Sequence, residues 1–110
     1  MTMKTDIPSG TLSMLILKTL ARLGSMHGYG IAQFIQQTTD DVLQLEEGTL
    51  YPALQRMLVK GWVKAEWRTT ENKRRARYYT LTAEGRKQLA AEVRDFRRAI
   101  TAVERVIEPA

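Results

Sequence analysis

The chain has 110 residues, no cysteine, one histidine and a formal charge of +5, with a sequence pI of about 9.8. That length supports one domain with a modest core and at most one appended element, which excludes a large substrate cavity. The missing cysteines exclude a disulfide framework, a thiolate metal site and a thiol nucleophile, and a lone histidine excludes a histidine metal cluster.

The charge is not spread evenly. Between Arg56 and Arg77 lie eight basic residues (Arg56, Lys60, Lys64, Arg68, Lys73, Arg74, Arg75, Arg77) against Glu66 and Glu71, an excess of six that leaves the rest of the chain near neutral. A stretch of that kind points to an anionic partner. The first nine residues contain no apolar core of a signal peptide, and no apolar run approaches a membrane span, so a cytoplasmic protein without membrane association is expected.

In chain order, the polar opening MTMKTDI is expected to fray, and Pro8-Ser9-Gly10-Thr11 supplies turn and capping chemistry for a first helix. From Leu12 to Leu23 one apolar stripe is made by Leu12, Leu15, Ile16, Leu20 and Leu23, while Met14, Leu17 and Ala21 fall on other sides. A helix apolar nearly all round must be covered twice, here by the domain core and by a second subunit. The sequence Gly24-Ser25-Met26-His27-Gly28 breaks this helix, and Tyr29 to Thr38 resumes a helical pattern. His27 in such a break reads as a packed or solvent-facing turn residue.

After the acidic residues Asp40, Asp41, Glu46 and Glu47 comes EEGTLYPALQRMLVKGWV, around which the chain is organised. Leu50, Leu54 and Leu58, with Met57 beside them, give one apolar stripe at the helical period. The other face carries Thr49, Tyr51, Gln55, Arg56 and Lys60, which can bond base edges or phosphates from a helix in a major groove. Gly48, Thr49 and Pro52 suit a helix start, with Pro52 in the first turn, and Gly61 suits its stop. Two helices joined by a short polar connection then form a helix-turn-helix.

Beyond Gly61 the period becomes two. Val63, Ala65 and Trp67 alternate with Lys64, Glu66 and Arg68, and Arg77, Tyr79 and Leu81 alternate with Ala76, Tyr78 and Thr80, around a polar segment Thr69 to Arg74. This predicts a two-stranded wing whose Lys73, Arg74, Arg75 and Arg77 meet phosphates or a minor groove. The alternative is a solvated hairpin whose charges only protect its edges. Thr82 is the expected N-cap of a last helix, Ala83 to Ile107, with Pro109 at its end. Leu89, Val93, Phe96, Ile100, Val103 and Ile107 are spaced four, three, four, three, four along it, a heptad seam for a symmetry mate. The alternative is a fourth core helix. The expected architecture is mainly α with a small β-hairpin: a winged helix-turn-helix over residues 1–81 and a C-terminal dimerisation helix over 82–110.

Little here is arranged for catalysis. Asp40/Asp41 and Glu46/Glu47 are sequence neighbours whose side chains diverge, and Gly28-Tyr29-Gly30 lacks the spacing and Lys-Ser/Thr ending of a phosphate loop. No enzymatic activity, cofactor or metal is expected.

The segments HGYGIAQFIQ, EEGTLYPALQRMLVKGWV and RRARYYTLTAEGRKQL together resemble the PadR family of bacterial transcriptional regulators, over about residues 10 to 90. Gly48-Thr49-Leu50-Tyr51-Pro52-Ala53-Leu54 is the most specific piece, supported by Gly28-Tyr29, Gly61, Tyr78-Tyr79-Thr80-Leu81-Thr82 and Gly85. The resemblance implies a homodimer that binds a palindromic promoter site in double-stranded DNA and usually represses. By position it implies backbone contact for Tyr29, a recognition face of Thr49, Tyr51, Gln55 and Arg56, and wing contacts from Lys73, Arg74 and Arg77. Dimer contacts would fall on helix 1, at Leu12, Leu15 and Ile16, and on the seam of the last helix, in the compact branch of the family with one such helix. Some members respond to small aromatic ligands at the dimer centre, for which Trp62, Trp67 and Phe96 are the candidates here. The rival reading is a winged-helix module that docks protein through its apolar helices without specific DNA binding, and a general nucleic-acid binder is a lesser one.

Overall fold

The computed structural model describes residues 5–8 and 10–108. Met1 to Lys4, Ser9, Pro109 and Ala110 lie outside them, so the expected fraying of the first four residues, the expected helix end at Pro109 and the part of the first turn at Ser9 do too. The order of elements is β1 (Thr5–Asp6), α1 (Leu12–Leu23), β2 (Met26–His27), α2 (Gly28–Thr38), β3 (Leu43–Gln44), α3 (Glu47–Val59), β4 (Val63–Thr69), β5 (Arg75–Leu81) and α4 (Ala83–Ile107). The mainly α architecture with its wing and long last helix is as the patterning predicts.

The core is built where the helical stripes meet. Ile16, Leu17 and Leu20 of α1, Ile31 and Ile35 of α2, and Leu50, Ala53, Leu54 and Met57 of α3 are buried, with Val63, Tyr79 and Leu81 closing it from the sheet. The face of α1 differs from the expected stripe: Leu12 and Leu15 are half-buried, Leu23 is exposed, and Met14, Leu17 and Thr19 are inside. Thr19 can be there because its hydroxyl donates to the Leu15 carbonyl at 2.7 Å, which satisfies a polar group that burial would otherwise penalise.

Two short pairings go beyond the patterning. Met26–His27 pairs antiparallel with Tyr79–Tyr78, so the wing is a three-stranded sheet in the order β2-β5-β4. Thr5–Asp6, expected to fray, pairs parallel with Leu43–Gln44. Both pairings rest on backbone hydrogen bonds, which side-chain patterning over two residues cannot register.

The stretch expected to form the second helix of the pair differs from its sequence reading in where Pro52 falls. α3 begins at Glu47, with Glu46 as an extended N-cap whose carbonyl accepts from the Thr49 and Leu50 amides at 3.0 and 2.9 Å. Pro52 is therefore inside the helix and not in its first turn, where its missing N–H leaves the Gly48 carbonyl without its usual donor four residues on. The C-terminus does close at Gly61, with φ of 77°. Gly61 N–H donates to the Leu58 carbonyl at 3.1 Å and Trp62 N–H to the Met57 carbonyl at 3.0 Å, the paired bonds of a Schellman motif, which needs a left-handed residue at that point.

That corner also holds α4. The Thr82 hydroxyl donates to the Gly61 carbonyl at 2.6 Å and accepts from the Gly85 amide at 3.0 Å, while Thr82 N–H donates to the Trp62 carbonyl at 3.0 Å. Gly85 is required there, because a Cβ would overlap the Trp62 carbonyl oxygen and crowd Leu81. The first turns of α4 pack on α1, with Leu89 buried and Val93 half-buried, and Glu92 takes hydrogen bonds from Ser13 and from Gln88. Farther along, the seam is bare: Phe96, Ile100, Val103 and Ile107 are all exposed. The first half of the last helix thus joins the core, as in the core-helix alternative, and the rest of its apolar face points outward.

Candidate nucleic-acid interface

With Leu50, Ala53, Leu54 and Met57 buried, α3 has three outward strips. Gly48, Pro52, Gln55 and Val59 run along the line opposite the core, and all four are exposed. Glu47 and Tyr51 flank it on the side of α2 and the wing. Thr49, Arg56 and Lys60 flank it on the other side, where they border a hollow of about 570 Å³ shared with Trp62, Ser13 and Glu92.

On the wing side, Tyr51 and Tyr29 stand over one open cleft of about 1030 Å³, whose far wall is Arg74, Arg75, Ala76 and Tyr78. Tyr29 is 65% exposed and Tyr51 43%. Tyr51 lies against the start of α2: a Cβ on Gly28 would come within 2.9 Å of its ring. That contact sets the approach of α3 to α2. Burial, then the Glu47 carboxylate, then Tyr79 push the Tyr51 phenol above its ordinary value of 10.0, so it remains a neutral hydrogen-bond donor over the whole physiological range.

His27 is more than the turn residue its sequence context suggests. Its Nδ1 accepts the Gly30 amide at 3.0 Å and caps α2, and its ring meets Tyr78 edge-on at 5.3 Å and stacks beside Tyr29 at 6.4 Å. With Nδ1 taken up by that bond, the rest of the ring lines the cleft. The signal for this role is the N-cap position just ahead of Gly28, which a helix start at Tyr29 conceals.

Lys73, Arg74, Arg75 and Arg77 are all exposed, and Lys73 turns the wing tip with φ of 60°. Arg75 lies over the Trp67 ring at 5.6 Å, and Arg68 both pairs with Glu66 and lies over Tyr78 at 5.1 Å. Among the described residues, no carboxylate lies within ion-pair distance of Lys73, Arg74, Arg75 or Arg77. Their charge is therefore directed at whatever meets the wing. The residues named for DNA contact fall in distinct places: Tyr29, Tyr51, Arg74 and Arg75 line the cleft, Arg77 lines a separate hollow with Trp67 and Tyr79, Lys73 stands at the wing tip, Gln55 stands on the outward line, and Thr49 and Arg56 stand on the far flank.

The structure does not bring the aromatic ligand candidates together. Trp62 borders the hollow beside α4 with Lys60 over its ring at 4.7 Å, Trp67 borders a separate hollow with Arg77 and Tyr79, and Phe96 lies out on α4. Of the dimer candidates, Ile16 is wholly inside the subunit and Leu89 nearly so, whereas Phe96, Ile100, Val103 and Ile107 stand free. Among the described residues, no group of acidic or histidine side chains could hold a metal ion, and no helix is long and apolar enough to cross a membrane.

Residues 16–91 match the model of the transcriptional regulator PadR-like family. The chain belongs to the PadR-like family. Solved structures of transcriptional regulators are similar over most of its length. A transcriptional regulator from Clostridium thermocellum is 28% identical with a TM-score of 0.82, covering 90% of this chain and 95% of its own. A PadR family transcription regulator from Clostridium difficile R20291 is also 28% identical, with a TM-score of 0.76, covering 90% of this chain and all of its own. Bacillus subtilis PadR, solved in complex with operator DNA, is 24% identical with a TM-score of 0.67 over 78% of this chain and 48% of its own, and shows the shared fold. As a member of the PadR-like family, the protein is a transcriptional regulator.

Proposed function

We propose that the protein is a homodimer that binds a palindromic promoter site in double-stranded DNA and represses transcription from it. The observation that carries this reading is that Tyr51 of α3, Tyr29 of α2 and the wing residues Arg74 and Arg75 line one open cleft, with Gln55 exposed on the neighbouring line of α3. A duplex lying across that cleft would meet the α3 side chains in its major groove and the wing arginines along its phosphates. The family match and the operator complex of Bacillus subtilis PadR support DNA as the partner.

The bare apolar face of α4 supports a second copy as its cover, with Phe96, Ile100 and Val103 at the centre of the contact. A small aromatic effector that relieves repression has weaker support, because only Phe96 of the three candidates lies on the face that a second copy would cover. The test is capture of fragmented genomic DNA on the protein followed by sequencing. Enrichment of one motif with twofold symmetry, near a gene whose expression rises when the protein is deleted, is the expected result. Enrichment of no motif would remove the DNA reading and bring protein docking forward, and falling expression on deletion would make the protein an activator.

A further inference from the structure

Each of the seven glycines except one has a reason inside the subunit. Gly10, Gly24 and Gly61 have positive φ, and a Cβ at Gly28, Gly30 or Gly85 would press on Tyr51, Met26 or the Trp62 carbonyl. Gly48 has neither reason: its φ is ordinary and an added Cβ would meet nothing within 4 Å. It nevertheless sits in the first turn of α3, where glycine costs helix stability relative to alanine. One turn on, Pro52 again costs stability inside the helix and frees the Gly48 carbonyl. The two lie side by side on the outward line, which continues through Gln55 to Val59, 78% exposed.

We infer that Gly48 and Pro52 form a flat, side-chain-poor patch that lets the leading end of α3 lie against the base edges of the major groove, so that the centre of the half-site is read as A·T pairs. On that line Gln55 is the single hydrogen-bonding side chain, and its amide matches the adenine N6 and N7 pair. Pro52 and Val59 can offer only apolar surface, which matches the thymine methyl. Arg56, a quarter-turn away beside Glu92 and Trp62, is left to a phosphate. This rests on the DNA-binding reading above.

The test uses the duplex selected by genomic capture and fluorescence anisotropy at fixed salt. Gly48→Ala is expected to raise the melting temperature of the free protein and yet weaken binding to that duplex by about tenfold or more, the added methyl lifting the helix off the bases. Replacing one half-site thymine by uracil, which removes only its methyl group, should weaken the wild type about fourfold and leave a Pro52→Ala variant no weaker than it already is. Wild-type affinity in Gly48→Ala, a half-site centred on G·C pairs, or indifference to every uracil replacement would overturn the inference while leaving specific DNA binding intact. Failure to select any duplex would instead remove the reading on which it rests.

Discussion

At the scale of single residues, the tightest constraint is Gly85, because backbone and not a flexible side chain fills the space where a Cβ would go. Gly85→Ala must shift either α4 or the α3–β4 corner, and a loss on the order of 3 kcal/mol in urea unfolding is expected. Thr82→Ala removes one hydroxyl that serves both Gly61 and Gly85, and should cost about 1 kcal/mol in the same measurement. Tyr51 gives a prediction in pH. Its folded value lies above the unfolded one, so the stability contributed by the neutral phenol is complete below the unfolded value near 10.0 and disappears as pH rises through the folded one. An ultraviolet phenolate titration should therefore show a step above the ordinary tyrosine value that is missing in Tyr51→Phe. These constraints are unevenly legible in the sequence. Thr82 reads as an N-cap because a Thr precedes a long periodic segment, whereas the need for Gly85 exists only once α4 is folded against Trp62. The capping role of His27 is hidden because it depends on which residue begins α2.

At the scale of elements, the helices are legible because each carries a clear 3.6-residue apolar period, and the wing because its period is two. The two-residue strands β1, β2 and β3 are not, since they bury little and exist through backbone pairing with distant segments. The place of Pro52 in α3 is obscured because a proline resembles a first-turn signal, while the surrounding fold tolerates it in the second turn. Under the proposed function the wing and α3 have separate roles, which binding can distinguish. Arg74→Ala or Arg77→Ala should weaken specific and scrambled duplexes alike and lower the slope of log K against log salt by about 0.9 for each phosphate no longer neutralised. Gln55→Ala should instead relax the choice at one base pair by about 1–3 kcal/mol with little change of slope. If both classes of variant behaved identically, the two elements would not have separate roles.

At the scale of the whole molecule, one core runs across residue 81, because Leu89 packs inside the same cluster as α1 and α3, and the division into DNA-binding and dimerisation parts belongs to the proposed function. The second half of α4 is what extends beyond that core, and a charge there is the cleanest perturbation of assembly. Ile100→Asp should leave the fold and its far-ultraviolet circular dichroism intact while sedimentation equilibrium shifts from dimer to monomer. Site binding should then weaken strongly, because a monomer engages one half-site where a dimer engages two. A wild-type monomer would leave the exposed seam without the cover assigned to it. Recognition helices in such a dimer must reach successive major grooves about 34 Å apart, a spacing that is absent from the sequence because it depends on how two copies of α4 cross. The central claim is that this surface reads sequence and is not merely a basic patch. The most direct measurement is fluorescence anisotropy with a duplex from the gene's own upstream region and a scrambled duplex of equal length, at two salt concentrations. Tight binding to the native duplex at both salts, with weak and salt-collapsing binding to the scrambled one, is the predicted result; equal affinity for the two would contradict it.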